Sequence, residues 1–375
     1  MDFDFIVVGT GSVGAAAAFH ASRSGLKVLM VDNGHPPHDL GSHHGQTRLM
    51  RHAYGEGEKY VPTVLRAQAL WEELERETGE RIFERTGVVN IGPAGAAFLG
   101  RVRASAERWN LALQVMGPAE VRARWPQMTL PDGLVALYEP GAGVLRSEAS
   151  IRAHVRLARD AGAVEAFGTP VRSVASDGNG VTVVADGGRW RARKVLVSAG
   201  TWTTTLFPEL PVTPVRKIFT WHETDGRYEA VSGFPGFVSE LPSGNQFYGF
   251  PAEDGILKIG RHNGGQPIGS PDERLPFGAL DSDAHEVSEF LDRVLPGVGA
   301  IRHGASCTYD NSPDEDFVVD TLPGQPDVMV VAGLSGHGFK FASVLGEIAA
   351  GFAGGRNPGF DLSPFSLSRF GQYGR

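Results

Sequence analysis

The stretch Phe5-Ile6-Val7-Val8-Gly9-Thr10-Gly11-Ser12-Val13-Gly14, followed by alanine at positions 15–18, decides the fold class. Four consecutive apolar residues are what a parallel strand buried on both faces requires. Gly9, Gly11 and Gly14 then give the spacing GxGxxG ahead of an alanine-rich helix that Gly25 ends. Lys27 to Val31 forms the next strand and closes on Asp32, 18 positions after the last glycine. Strand, glycine turn, helix, strand and acid in this order make a dinucleotide-binding unit. Gly9 allows the tight turn, Gly11 lets a pyrophosphate approach the backbone, and Gly14 lets the helix pack on the strand. Ser12 and Val13 open the helix, whose free N–H groups suit phosphate. Asp32 suits ribose hydroxyls. The motif by itself does not separate NAD from FAD.

Further along, 61–77 has helical spacing: Val64, Ala67, Trp71 and Leu74 share a face, Pro62 fits the first turn and Gly79 stops it. A second helix is expected after Ser147, with Ile151, Val155 and Ala158 inward and Gly162 at its end. Val181–Ala185, a turn at 186–188 and Lys194–Ser198 read as a meander. Residues 216–262 are strand-like. Near the other end, Val328–Ala332, a glycine loop and an apolar helix to about Ala350 repeat the opening theme. The helix start around Gly336-His337-Gly338 offers a second N-terminus to the far end of one long ligand, apt for a reduced flavin ring. With no linker or repeat in view, the domains are expected to be interleaved.

Composition narrows the class. The 375 residues include 35 Lys and Arg against 43 Asp and Glu, a formal net charge of −8, which argues against a nucleic-acid binder. Fifty glycines and 24 prolines imply many turns and tight ligand loops. One cysteine, Cys307, excludes an intramolecular disulfide and suits a reducing compartment. No signal-like or membrane-length apolar run is present, so a soluble cytoplasmic protein is expected.

Several residues stand out against that background. Arg48 and Arg51, three apart, share a face if they lie on a helical turn, and together suit a carboxylate or a flavin edge. His35, His38, His43, His44 and His52 crowd the same region, but their irregular spacing completes no metal site, and none is expected. Residues 245–262 read as a hairpin. With its turn centred on Glu253, Tyr248 faces Lys258, and alternation puts Lys258 and His262 on one face.

Three segments, GSHHGQTRLMRHAYGEGEKY (41–60), ASCTYDNSPDEDF (305–317) and GLSGHGFKFASVLGEIA (333–349), resemble the monomeric sarcosine oxidase family of FAD-dependent amine oxidases. The resemblance runs over essentially the whole chain. It implies an α/β fold: a Rossmann-like FAD-binding domain from 1–82, 148–215 and 318–375, and a second, mostly antiparallel-sheet substrate domain from 83–147 and 216–317. It implies one FAD per chain, held covalently by a thioether to Cys307. Ser42, Thr47, Arg48, Gly200, Gly336, Gly338 and Lys340 join the glycine motif and Asp32 at the cofactor. Arg51 and Lys340 match the residues that hold the substrate carboxylate. Lys258 matches the lysine that assists reaction with dioxygen, and Arg48, Tyr248 and His262 match active-site side chains. Gln46 departs from an expected aspartate, which places the hydrogen bonding around Thr47 and Arg48 in question. The implied activity is oxidative N-demethylation of an N-methyl amino acid by a monomer, with N-methyl-L-tryptophan the expected substrate and sarcosine the alternative. An NAD-dependent dehydrogenase and a flavin-binding sensor without turnover are the remaining rivals.

Overall fold

In the strand Phe3–Val8, alternating side chains of Phe5–Val8 enter two different cores, which is why these four residues are all apolar. Phe5 and Val7 pack with the helices Ser12–Arg23, Val61–Thr78, Ser147–Asp160 and Ala342–Ala353. Ile6 and Val8 pack on the other side with Phe207, Leu210 and Val212. The same division holds for Val28–Val31 and for 328–331. Each large side chain buried in this way contributes about 1.5–3 kcal/mol. The structure is a computed structural model and describes residues 1–357 and 359–371.

The first sheet runs in the order Val171–Ser176, Val181–Ala185, Gly188–Val197, Phe3–Val8, Val28–Val31, Val164–Ala166. Gln325–Ala332 lies parallel to the end of Gly188–Val197 and antiparallel to Val318–Leu322. The expected meander forms, with its last strand starting earlier than expected, at Gly188. Gly188–Val197 is one ten-residue strand, antiparallel to Val181–Ala185 over its first half and parallel to Phe3–Val8 over its second. Both halves satisfy strand periodicity, so the strand runs through the charged Arg191-Ala192-Arg193. The expected helices after 61 and 147 form as Val61–Thr78, capped by a left-handed Gly79 with φ 68°, and Ser147–Asp160.

The second sheet is antiparallel except where Gly236–Glu240 runs parallel to Val88–Pro93. One face carries Val89, Ile91, Phe237, Phe247, Leu257 and Ile259 into a core closed by Phe290 and Val294. The opposite face therefore presents the intervening residues. Register places Val238, Tyr248, Lys258, Gly260, Lys217, Cys307 and Tyr309 together on it. A third, small sheet joins Thr47–Met50, Phe83–Glu84 and Gly143–Arg146.

Two local expectations fail. Arg48 lies in the strand Thr47–Met50 rather than a helical turn, and Arg51 follows it. The run Thr47-Arg48-Leu49-Met50 buries three of its four side chains and pairs with Gly143–Arg146, so a strand wins. In the hairpin, Tyr248 pairs with Gly260, not with Lys258. Asp254 and Gly255 both take positive φ, 50° and 72°, so the reversal sits beyond Glu253 and the register moves by two. An even shift keeps Tyr248 and Lys258 on one face, now diagonally placed. Gly260 is glycine because a Cβ there would stand 2.6 Å from the Tyr248 hydroxyl.

Candidate active site

The start of the helix Ser12–Arg23 is built as the glycine spacing requires. Gly9 has φ 86°, and a Cβ on Gly14 would collide with the Gly9 carbonyl and come within 2.9 Å of Val7 Cγ1. Asp32 is 7% exposed; its Oδ2 accepts from Thr10 N at 2.7 Å, and its Oδ1 accepts from Gly34 N and lies beside His38 Nε2, each at 2.9 Å. These bonds fix the carboxylate in the wall of a cavity of about 390 Å³. Gly9, Gly11, Ser12, Val13, Asp32, Ser42, Arg48, Gly200, Gly336 and Gly338 all line it, as do His43, Trp202, Thr308, Tyr309 and Asp310.

A smaller cavity of about 150 Å³ is lined by Arg51, Tyr248, His262, Cys307 and Lys340, with Leu49, Glu56, Phe98, Val238, Phe250 and His337. Arg48, Tyr309, Gly336 and Phe339 line both cavities and form the partition between them. Gly336, φ 75°, must be glycine there, because a Cβ would enter the Tyr309 ring. Three expected site residues line neither cavity. Gly14 is internal packing. Thr47 and Lys258 stand behind the 45–47 backbone, where Lys258 Nζ donates to the Gly45 carbonyl and, at 3.2 Å, to the Thr47 carbonyl.

The site is rich in buried cations. Arg48 spends its hydrogen bonds on the carbonyls of Ser42, His44 and Thr47, at 2.6, 2.9 and 2.6 Å. Burial, and then Arg48, push Lys258 well below the usual lysine range, and its ammonium lies 4.8 Å from the Phe219 ring centre and 4.9 Å from that of Phe250. Lys340 donates to the His337 carbonyl at 2.7 Å and to the Tyr54 hydroxyl at 3.1 Å. Burial and the neighbouring Arg51 bring it down to about 7. Tyr54 in turn bonds His337 Nδ1 at 2.7 Å, while His337 Nε2 sits 3.0 Å from the Glu315 carbonyl. A carbonyl only accepts, so the proton of His337 is on Nε2 and Nδ1 receives the tyrosine O–H. Burial lowers His262 to about 3, so it stands neutral beside Tyr309.

The clustered histidines disperse to separate partners: His38 to Asp32, His44 to the Ser306 carbonyl at 2.9 Å, and His52 to Glu139 at 2.5 Å. Gln46 adopts φ 70°, and the backbone amides of Gly45 and Gln46 both donate to Glu148, at 3.0 and 3.2 Å. A carboxylate from elsewhere in the chain thus holds the turn in which Gln46 replaces the expected acid.

Residues 4–351 match the family model described as DAO, FAD dependent oxidoreductase. The chain belongs to this family. Over 372 residues it is 58% identical to the N-methyl-L-tryptophan oxidase of Citrobacter koseri, covering 99% of this chain and 100% of that one. It is 57% identical, with the same coverage, to the N-methyl-L-tryptophan oxidase of Salmonella typhimurium. Among solved structures, NikD, an amino acid oxidase of nikkomycin biosynthesis, superposes with a TM-score of 0.86 at 22% identity, covering 97% of this chain and 96% of that one. Glycine oxidase from Geobacillus kaustophilus gives 0.80 at 22% identity, covering 98% of each.

The residues of this FAD-dependent oxidoreductase fit its cofactor. The larger cavity is lined by a helix N-terminus without side-chain cap for the phosphates, by the fixed carboxylate of Asp32, and by Arg48, bonded only to carbonyls. A cation so placed matches the negative charge that a flavin ring gains on reduction. Sequence reasoning missed Glu56, Phe98, Tyr309, His337 and Phe339. Glu56, Tyr309, His337 and Phe339 lie inside the three resemblance segments; glycine neighbours mark tight loops at Glu56, His337 and Phe339, whereas Tyr309 sits in the strand Ile301–Asn311. Phe98 carries no local signal, since it is one apolar residue on the helix Ala97–Arg108.

Proposed function

We propose that this enzyme oxidatively removes the N-methyl group of an N-methyl amino acid, with N-methyl-L-tryptophan as its preferred substrate. Substrate, dioxygen and water give the free amino acid, formaldehyde and hydrogen peroxide. The observation that carries the reading is the cavity holding Arg51 and Lys340, which meets the cofactor cavity at Arg48, Tyr309, Gly336 and Phe339. Among its other lining residues, Leu49, Phe98, Val238 and Phe250 offer apolar wall that suits an aromatic side chain. The 58% identity to an N-methyl-L-tryptophan oxidase supports the same substrate.

When bound, FAD accepts two electrons from the substrate and passes them to dioxygen. The chain's own groups do the rest. Arg51 and Lys340 hold the carboxylate, and this fixes the N-methyl group toward the partition; such orientation can supply several kcal/mol of a barrier, up to about 7–11. Neutral His262 and the surrounding cations disfavour a protonated amine, so the substrate binds with its nitrogen lone pair free. Lys258, whose Nζ donates to two carbonyls, is the basic side chain whose protonated form favours reduction of dioxygen. Cys307, buried and free, is proposed to carry the flavin through a thioether. A lone buried cysteine and scattered exposed apolar side chains support a monomer of a reducing, cytoplasmic compartment.

Steady-state assays of peroxide and formaldehyde with a panel of N-methyl amino acids test the reading. N-methyl-L-tryptophan is expected to give the highest kcat/KM. A higher value for sarcosine would replace it with the smaller substrate, and formaldehyde from none of them would remove the reaction.

A further inference from the structure

We propose that Lys217 is a positioning residue for attachment of the cofactor, acting through Cys307 by keeping its sulfur in the reactive thiolate form. The proposal rests on the thioether reading above. Lys217 lies directly opposite Cys307 in the pairing of Thr213–Glu223 with Ile301–Asn311, and Val215 lies opposite Tyr309. Lys217, Cys307 and Tyr309 therefore rise from one face, and directly opposed Cβ atoms stand about 4.5–5.5 Å apart.

Lys217 is 2% exposed. Its Nζ donates to the carbonyls of Asn263 at 2.8 Å and Gly264 at 3.1 Å, and lies 5.3 Å from the Tyr309 ring centre. Its stem crosses Gly265, where a Cβ would come within 2.9 Å of Lys217 Cδ. Its hydrogen bonds go to carbonyls only; burial brings it down to about 8, Cys307 and Glu286 favour its charge and Arg261 opposes it, and the reaction steps above make no use of this buried cation. Burial raises the Cys307 thiol. Opposing that rise are Arg48 from Thr47–Met50, Lys217, Lys258 from Ile256–Arg261, and Arg274, whose Nη1 lies 3.3 Å from the Ser306 carbonyl. The neutral hydroxyls of Tyr248 and Tyr309 also face the sulfur. Lys217 is the cation on the strand paired with the thiol's own.

In the attachment step, the Cys307 S–H bond and one C–H bond of the flavin 8α-methyl group break and a C–S bond forms. The two electrons enter the flavin ring, and dioxygen then takes them, with the two protons, as hydrogen peroxide. Only the thiolate is nucleophilic enough to make that bond.

The test mixes apoprotein with FAD and follows, across neutral to alkaline pH, the flavin that stays with acid-precipitated protein. Lys217→Gln keeps a donor for the two carbonyls and removes the charge; Lys217→Met removes both. We expect Lys217→Gln to bind FAD non-covalently like wild type, by fluorescence quenching. Its covalent incorporation at neutral pH should be about tenfold slower, with the rise moved up by about one pH unit. Wild-type rate and profile in either variant overturn the role of Lys217 and leave the thioether standing. Failure of both variants to bind FAD non-covalently overturns it as well, by making Lys217 a folding residue. Wild-type flavin released into the acid supernatant overturns the thioether reading itself.

Discussion

Arg51 Nη2 meets Glu56 Oε1 at 2.7 Å inside the smaller cavity, while Arg51 Nη1 and Glu56 Oε2 have no partner among the described residues. Burial opposes ionisation of Glu56, yet Arg51, His337 and Lys340 together hold its carboxyl well below the usual range. A carboxylate of the chain thus stands where the substrate carboxylate is proposed to bind. Substrate must share Arg51 with Glu56 or displace it.

Glu56→Gln removes that competitor. A simple carboxylate such as indole-3-acetate should bind about three- to tenfold more tightly, read from the perturbation of the flavin spectrum. The variant should also lose about 1–3 kcal/mol of stability, because Arg51 is left buried without its counter-charge. Unchanged or weaker binding would mean that Glu56 does not oppose the ligand.

Lys340 makes anion binding depend on pH. Its folded value of about 7 means that it is charged below neutrality and loses its charge above. An anion binding at higher pH must bring a proton back to it. Affinity for indole-3-acetate, which has no amine to confuse the titration, should fall up to about tenfold per pH unit above 7. In Lys340→Met, binding should be weaker and flat over the same range. A profile as steep as wild type in the variant would assign the titration elsewhere.

Acid should destabilise the fold through histidine. Burial depresses His20, His44 and His337 to about 4 and His43, His154 and His262 to about 3, against 6.5 for an open chain. As pH falls below 6.5, the unfolded chain takes up protons that the folded one refuses, so stability is lost. Each such histidine contributes a slope approaching about 1.4 kcal/mol per pH unit. Asp310, raised by burial to about 6, works the other way but is one group against six. Thermal midpoints should therefore drop steeply between about pH 6.5 and 5, before most open-chain carboxylates titrate. His154→Phe, placed between Phe19 and Trp71, should make that drop shallower by one proton. A flat midpoint across this range would contradict the burial of neutral imidazoles.

The sequence made the cofactor side of the site legible for a physical reason. A phosphate cradle is local: Gly9, Gly11, Gly14 and Asp32 must sit at set spacings along one strand–helix–strand unit, so spacing alone reveals them. The substrate side is assembled from five distant segments, and pairing register across the second sheet decides much of what meets there. Tyr248 and Lys258 were read onto one face correctly, but their exact opposition depended on the Asp254-Gly255 turn, which apolar alternation does not locate. Arg48 and Arg51 were read as helical neighbours because residues three apart share a helix face. The strand Thr47–Met50 exists only through its partner Gly143–Arg146, which is invisible locally. Phe98 reaches the site by tertiary packing alone, and nothing in its neighbours along the chain announces it.

The most direct test of the whole account is the colour of the purified protein without oxygen. Addition of N-methyl-L-tryptophan under anaerobic conditions should bleach the flavin absorption, and admission of air should restore it with release of hydrogen peroxide. A flavin that keeps its colour with N-methyl-L-tryptophan and with every other N-methyl amino acid offered would contradict the account.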